Sequence, residues 1–174
     1  MDNEDIKNTC CIIGHRKIED FVSVSIATWD GMVDLIKNRN VTTFKFGFYG
    51  EFNDLCYNFL STLKARGKNI KLVLYSLNNE VAFTFEEAEK YKNKYKKQNK
   101  KFPYKCFDEI VYLDDIDETK FKSACVLRNL KLIDESEYCM IYYRKNYILP
   151  SNRNSGTKIA YEYACKRKKK MIIP

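Results

Sequence analysis

Short apolar runs alternate along this chain with longer segments in which apolar residues recur at helical spacing. The runs are TCCIIG (9–14), TTFKFGF (42–48), IKLVLYS (70–76), EIVYLD (109–114), YCMIYY (138–143) and MIIP (171–174). Several are apolar at almost every position, which is typical of strands covered on both faces. Strands that alternate with helices predict an α/β fold, a three-layer sandwich with a mainly parallel central sheet of about six strands.

The segments between these runs predict five helices. In the first, within 21–40, the apolar residues at helical spacing are Val22, Ile26, Met32, Val33 and Ile36, and Asn40 is a stop signal. In the second, which ends at Gly67, one face carries Leu55, Phe59, Leu60 and Leu63. The third begins with a cap at Thr84, is highly charged and is expected to be mostly exposed. The last two lie within 120–136 and 155–169.

No internal repeat or linker interrupts this alternation, so we predict a single domain over residues 1–174 with a core at about 9–173. The opening MDNEDIKN is acidic and polar, unlike a secretory signal, and no apolar run approaches the roughly 20 residues of a membrane span. We therefore expect a cytoplasmic protein without a membrane partner.

Seven cysteines and one histidine limit the chemistry that the chain can perform. The cysteines are scattered through apolar segments without CxxC spacing, which favours free, buried thiols in a reducing compartment. A zinc site needs three or four converging ligands, and this distribution predicts no metal site. No cofactor is predicted.

The net charge of +8 raises the possibility of nucleic-acid binding. Much of the excess lies in KYKNKYKKQNKK (90–101) and CKRKKK (165–170), whereas residues 108–118 are acidic. Lysine runs of this kind are most often solvated helix faces.

Three glycine-containing loops follow predicted strands, and ligands bind at the carboxyl ends of strands in open parallel sheets. The first is Gly14-His15-Arg16, in which Arg16 offers a planar fork of donors to phosphate or carboxylate. The second is GFYGEFND (47–54). In the third, SNRNSGT (151–157), Ser155 opens a helix whose free N–H groups suit an anion. Together they predict a phosphate-binding rim, although the chain has neither a G-x-G-x-x-G fingerprint nor a P-loop.

The segments CCIIGHR, FGFYGEFNDLC, Arg128-Asn129 and SGTKIAYEYACKRKKKMI, in this order, resemble short bacterial single-domain members of the SLOG superfamily, the Rossmann-like group named for the Smf/DprA and Lonely Guy proteins. The resemblance implies a Rossmann-like fold, binding of a nucleotide or nucleotide-derived small molecule, and often a homodimer. It implies that the ligand lies among three groups of residues. Gly14, His15 and Arg16 would border the base or ribose; Gly47, Tyr49, Gly50 and Glu51 would form a second wall; Ser155, Gly156 and Thr157 would hold the phosphate, with Arg128 pointing toward the same pocket.

Two features bear on whether such a ligand is only bound or also cleaved. Lonely Guy enzymes carry a catalytic glutamate three residues after the threonine of this last motif, whereas this chain has Ala160 there. Glu162 lies about 200° further round a helix and does not simply replace that glutamate. For His15, a general base and a residue that holds the ligand or braces the loop are both open, and the second is favoured because no motif places a nucleophile beside it.

The leading hypothesis is therefore a cytosolic domain that binds a nucleotide-derived small molecule at the carboxyl ends of the strands. One alternative is a hydrolase that cleaves an N-glycosidic or phosphoester bond of a nucleotide, with Glu51 as the candidate acid/base. Another is a nucleic-acid-binding protein.

Overall fold

A computed structural model describes residues 6–78, 80, 82–90, 105–116, 121–146 and 155–174. The strands within these ranges are β1 (Thr9–Gly14), β2 (Thr43–Phe46), β3 (Lys71–Ser76), β4 (Phe83–Thr84), β5 (Cys106–Phe107), β6 (Glu109–Tyr112), β7 (Tyr138–Tyr142) and β8 (Lys170–Ile172). The helices are α1 (Phe21–Lys37), α2 (Glu51–Ala65), α3 (Phe121–Asp134) and α4 (Gly156–Lys166). Residues 85–90 are also helical.

In the part of the chain that the structure describes, six strands form one sheet in the order β6-β3-β2-β1-β7-β8. Every neighbouring pair is parallel, and Cys11 of β1 lies between Lys45 of β2 and Cys139 of β7. The chain builds the sheet outward from β1 through β2, β3 and β6, then returns to the other side of β1 for β7 and β8. The strand order therefore reverses between β1 and β7.

Helices cover both faces of the sheet, which confirms the predicted three-layer, Rossmann-like α/β sandwich. On one face α1 and α2 pack against alternate strand residues such as Cys10, Phe44 and Leu72. On the other face α3 and α4 pack against Cys11, Val73 and their neighbours. Because parallel strands need crossover helices, each helix begins at the carboxyl edge of the sheet and ends at the amino edge.

The six predicted strands of this sheet agree with the observed ones to within two residues at each end. Five of the seven thiols are buried, Cys125 is partly buried and Cys165 is exposed; none is in a disulfide. The second helix also agrees: Leu55 and Leu60 are buried, and the helix ends before Gly67, whose φ is +83°.

The core-facing side of α1 differs from the prediction. The apolar residues at helical spacing do not all face the core: Val22 and Ile26 are 69% and 60% exposed. The buried residues of this helix are Val24, Thr28, Met32 and Leu35. Gly31 lies on the same side, because a Cβ there would come within 2.9 Å of Ile172 Cγ2. Because Thr28 and Gly31 lie on the buried face, the spacing of hydrophobic residues in the sequence does not identify that face.

A second difference lies after β3. The sequence did not predict the small parallel pair of β4 and β5, each only two residues long. The cap at Thr84 is confirmed, since its Oγ1 accepts from the backbone N–H of Glu87 and the Glu87 carboxylate accepts from the backbone N–H of Thr84. Residues 85–90 of that predicted helix are helical and mostly exposed; its later residues, with most of the lysine run at 90–101, lie outside the described residues.

Gly14 ends β1 at a point where α2 packs tightly against the strand. A Cβ at this position would lie 2.5 Å from Cδ1 and 2.6 Å from Cβ of Phe52, a fully buried side chain of α2. Only a residue without a side chain permits this approach.

Gly14→Ala should therefore destabilise the fold by about 1–3 kcal/mol through overpacking. Gly156→Ala is the matched control, because its Cβ would meet Val126 Cγ2 at an ordinary 3.6 Å. Urea unfolding monitored by circular dichroism measures both. Equal stability of the two variants would show that α2 can move away from β1 without cost.

Candidate ligand site at the carboxyl edge

His15 follows β1 and is almost completely buried, with 2% of its surface exposed. Its Nε2 accepts a hydrogen bond from the backbone N–H of Arg144 at 3.1 Å, and its own backbone N–H donates to the carbonyl of Tyr142. The rings of Tyr142 and Tyr143 each lie 5.9 Å from the imidazole. The side chain therefore ties the loop after β1 to the loop after β7, on either side of the point where the strand order reverses.

This environment keeps His15 neutral. Burial lowers its pKa, and the positive charge of Arg144 lowers it further, to about 4. A neutral imidazole whose Nε2 already accepts a hydrogen bond is a structural brace, so of the two roles left open by the sequence the geometry favours bracing over general-base catalysis.

The loops after β1 and β2 are joined by backbone contacts. Gly50 has a φ of +118°, a region that side-chain-bearing residues avoid, and its missing Cβ would lie 3.4 Å from Arg16 Cα. The backbone N–H of Glu51 donates to the carbonyl of Arg16 at 2.9 Å. The Glu51 carboxylate accepts from the backbone N–H of Ile18, also at 2.9 Å. Glu51, the candidate acid/base, thus holds the first loop in place.

Arg128 of α3 lies behind the second loop, in a buried ion pair. Its Nη1 donates to both carboxylate oxygens of Glu80, at 2.8 and 2.9 Å, and both side chains are at least 95% buried. Glu80 also accepts from the backbone N–H of Leu77, just after β3. Nε of Arg128 has no hydrogen-bond partner among the described residues, and it lies 3.1 Å from where a Cβ of Gly47 would be. The guanidinium thus packs against the Gly47 backbone.

Tyr49 projects from the same loop and is 44% exposed. Burial of part of the ring raises its pKa, and Glu80 raises it further, while Arg128 and Arg16 lower it. The pKa of the Cys125 thiol is raised by burial and also responds to Arg128, Glu80 and Arg16. The close approaches of Gly50 to Arg16 and of Gly47 to Arg128 bring the first loop, the second loop and α3 together at the carboxyl edge.

The third group of predicted residues forms the start of α4. The Ser155 side chain is the N-cap and accepts from the backbone N–H of Lys158 at 3.0 Å. Gly156 packs near Val126 of α3, two residues from Arg128. Thr157 is only 7% exposed. The structure thus brings α4 against the helix that carries Arg128; residues 151–154 of this loop lie outside the described residues.

Sequence reasoning missed two residues that organise this edge. Glu80 lies four residues after the end of β3, in a loop without glycine. The signal from which it could have been predicted is an acidic residue shortly after a buried strand. Arg144 was missed because its backbone N–H, rather than its side chain, holds His15. Its side chain pairs with Glu19, which lies in the segment that leads into α1.

The basic run near the end of the chain is largely engaged within the fold. Arg167 pairs with Asp134 at 2.8 Å, Lys170 pairs with Glu137 at 2.7 Å, and Lys169 donates to the carbonyls of Asp134 and Ser136. These contacts fasten the end of α4 and β8 to the turn between α3 and β7. They lie at the amino edge, opposite the candidate site.

No protein-family model matches the sequence, and no curated protein matches it. None of the described helices is long and apolar enough to cross a membrane. Within the described ranges, no three His, Cys, Asp or Glu side chains are grouped so that they could hold a metal ion. The fold is that of a Rossmann-like α/β protein. The loops after β1, β2 and β7 are bonded to one another where the strand order reverses. The resemblance to the SLOG superfamily stays a prediction.

The single histidine allows a direct test of its buried state. Because the folded-state pKa of about 4 lies below the value of about 6.5 for an unfolded chain, the unfolded state gains its proton first as the pH falls. The contribution of His15 is complete above about pH 6.5 and is lost progressively toward pH 4, by about 2 kcal/mol at pH 5.

The imidazole proton signal in NMR should titrate near pH 4 in the folded protein. His15→Gln, which keeps an acceptor but does not titrate, should lose less stability between pH 7 and pH 5 than the unaltered chain. A midpoint near 6.5 would mean that the imidazole is solvated and that the brace does not form.

Breaking the buried ion pair should be costly. Glu80→Gln leaves the Arg128 charge buried without a counter-charge and should lower the free energy of unfolding by about 3–5 kcal/mol. Glu109→Gln is the matched control, since its pair with Lys71 is about half exposed and is worth at most about 1 kcal/mol. Urea denaturation measures both. Similar losses in the two variants would show that Glu80 is solvated.

Proposed function

We propose that the chain binds a nucleotide or a nucleotide-derived small molecule at the carboxyl edge of the sheet, beside the switch point between β1 and β7. One observation carries the proposal. The loops after β1 and β2 are bonded to each other at the same edge at which the strand order reverses. Open α/β sheets bind their ligands in the crevice that such a reversal creates.

The charges at this edge support an anionic ligand. Arg16 lies in the first loop and Lys145 follows β7, and both are exposed. Arg128 adds a positive charge behind Gly47, although Glu80 balances it. The first turn of α4 directs its dipole toward the same edge, where it favours an anion.

An aromatic side chain at the site supports a ligand with a base rather than a bare phosphate. Tyr49 is half exposed, and its ring packs edge-on against Phe48, with centroids 5.0 Å apart. A ring held in this way offers a face on which a nucleobase can stack, for about 1–3 kcal/mol per base. Arg16, whose charge acts on Tyr49, is suited to the phosphate of the same molecule.

The arrangement supports binding more than turnover. The Glu51 carboxylate is used to hold the Ile18 N–H. Ala160, at the position where the resemblance implies a catalytic glutamate, is fully buried against the sheet. Glu162 is exposed and pairs along the helix with Lys158. The hydrolase and nucleic-acid alternatives, the cytoplasmic location and the homodimer stay predictions.

The helix start allows a charge test that preserves the cap. Ser155→Asp keeps an N-cap oxygen but adds a negative charge where the phosphate is proposed to lie, so binding of nucleoside 5′-monophosphates should be lost. Ser155→Asn caps equally well without the charge and should bind as the unaltered protein does. Calorimetric titration with nucleoside monophosphates and ADP-ribose measures the affinities. Thr157 is unsuitable for this test because it is buried.

Arg16→Ala should weaken the same ligand by about 1.5–3 kcal/mol, the value of a charge-assisted hydrogen bond. Lys166→Ala, at the far end of α4, should leave the affinity unchanged. If Ser155→Asp binds as Ser155→Asn does, the phosphate lies elsewhere; if no nucleotide binds the unaltered protein, the proposed function is wrong.

A further inference from the structure

Two cysteine thiols lie side by side in the centre of the sheet. Cys11 of β1 and Cys139 of β7 are register partners in neighbouring parallel strands, and both side chains belong to the core on the side of α3 and α4. Neither residue has any exposed surface, and the Cys139 thiol is hydrogen-bonded to the Cys11 side chain. The two sulfur atoms are therefore in contact while both thiols are reduced.

The strand pairing brings these two residues within the range of a disulfide. Neighbouring strands lie about 4.8 Å apart, and disulfides join residues whose Cα atoms are about 4.4–6.8 Å apart. The Cβ atoms of a disulfide are closer, at about 3.8 Å, than those of parallel register partners, which follow the strand spacing. A bond between the sulfurs thus draws β1 and β7 slightly together, and strain of this kind makes a disulfide easy to reduce.

Two lysines place positive charge beside this pair of thiols. The register partner of Cys11 in β2, on the side away from Cys139, is Lys45, which is only 8% exposed. Lys169 immediately precedes β8. The hydrogen bond to Cys11 and burial raise the pKa of the Cys139 thiol, whereas the charge of Lys169 lowers it. Because the thiolate is the form that reacts with oxidants, cations in these positions favour oxidation of the pair.

Two cysteines on the opposite face of the sheet are arranged differently. Cys10 and Cys56 are also fully buried, but they lie in β1 and α2 and are not partners in a strand pair. Burial raises the pKa of both thiols, and a neighbouring thiol raises it further. We therefore expect both to stay reduced under conditions that oxidise Cys11 and Cys139.

We propose that Cys11 and Cys139 form a redox site, at which hydrogen peroxide reversibly produces a disulfide that ties β1 to β7. The Cys11 thiolate attacks one oxygen of the peroxide, the O–O bond breaks, and the leaving hydroxide takes the thiol proton to give water. The Cys139 sulfur then displaces hydroxide from the Cys11 sulfenic acid, and the Cys139 proton completes a second water. Two electrons thus pass from the two sulfurs to one peroxide molecule.

The disulfide would act on the loops at the carboxyl edge, because both strands lead directly into them. β1 ends at the loop that holds His15, and β7 ends at the loop in which the Arg144 N–H donates to His15 Nε2. A displacement of the two strands toward each other therefore reaches the contact between these loops. The redox site does not depend on the proposed nucleotide site, since no ligand takes part in it.

Burial of both sulfur atoms sets the rate of the reaction. Peroxide reaches them only when the strands and the helices over them open locally, so oxidation should be slow in buffer and faster in urea below the unfolding transition. A slow reaction of this kind responds to sustained rather than brief exposure to peroxide.

The reaction is measured in a Cys165→Ser background, which removes the exposed thiol. After peroxide treatment of the folded protein, peptide mass spectrometry should find a disulfide between Cys11 and Cys139, and dithiothreitol should reverse it. Cys10→Ala, a control at an equally buried thiol, should form the same disulfide. In Cys139→Ala the Cys11 sulfenic acid has no partner, so dimedone should trap it. Lys45→Met removes a charge that favours the thiolate and should slow the reaction by about tenfold.

The single histidine shows whether the disulfide forms in the folded protein. The NMR signal of the His15 imidazole should shift on oxidation without moving to its position in the unfolded chain. The proposal is overturned if no such disulfide forms even in urea below the unfolding transition, if Cys10 and Cys56 are joined instead, or if the linked protein shows an unchanged or an unfolded His15 signal. An unslowed reaction in Lys45→Met would overturn the part assigned to that lysine.

Discussion

The parallel pairing of β1 with β2 on one side and β7 on the other is the constraint on which the rest of the structure depends. A strand in the centre of a parallel sheet has helices over both faces, and here Cys10 points into the core under α1 and α2 while Cys11 points into the core under α3 and α4. Parallel neighbours also require every connection to cross the sheet, so all helices start at one edge. The strand order reverses between β1 and β7, the position at which open α/β sheets generally form a crevice for a ligand.

Two features allow the close packing around the end of β1: glycines at the points of closest approach, and hydrogen bonds to the backbone N–H groups of the loops. Gly14 lets Phe52 of α2 approach the strand, and Gly50 allows the second loop to lie against Arg16. Three polar bonds then hold the loops: Arg144 N–H to His15, Glu51 N–H to the Arg16 carbonyl, and Ile18 N–H to Glu51. Because the fold fixes these loops, Arg16 and Tyr49 have a defined position at this edge, which would lower the ordering cost of binding the proposed ligand.

The strands and layers could be predicted because a strand that is covered on both faces is apolar at almost every position. This pattern is visible in the sequence without knowledge of which strands pair with one another. The outward face of α1 could not, because Thr28 and Gly31 on its buried side weaken the hydrophobic signal while Val22 and Ile26 imitate it. The tight turns at the carboxyl edge could be predicted because glycines mark them. The ion pair of Arg128 with Glu80 could not, because the two residues are 48 positions apart and the sequence near Arg128 gives no sign of its partner.

The distribution of charge follows from the same architecture. Since every helix ends at the amino edge, the last turns of α1, α2, α3 and α4 each carry a lysine, namely Lys37, Lys64, Lys131 and Lys166, which complements the negative end of the helix dipole. Several cations of that edge also pair with acidic residues, as Lys64 does with Asp108 and Lys71 with Glu109. Each of these lysines thus complements a helix end. Much of the positive excess lies in the runs 90–101 and 165–170, and the total charge by itself identifies no partner. At the opposite edge, Arg16 after β1 and Lys145 after β7 are exposed to solvent. These are the cations that the proposed anionic ligand would meet.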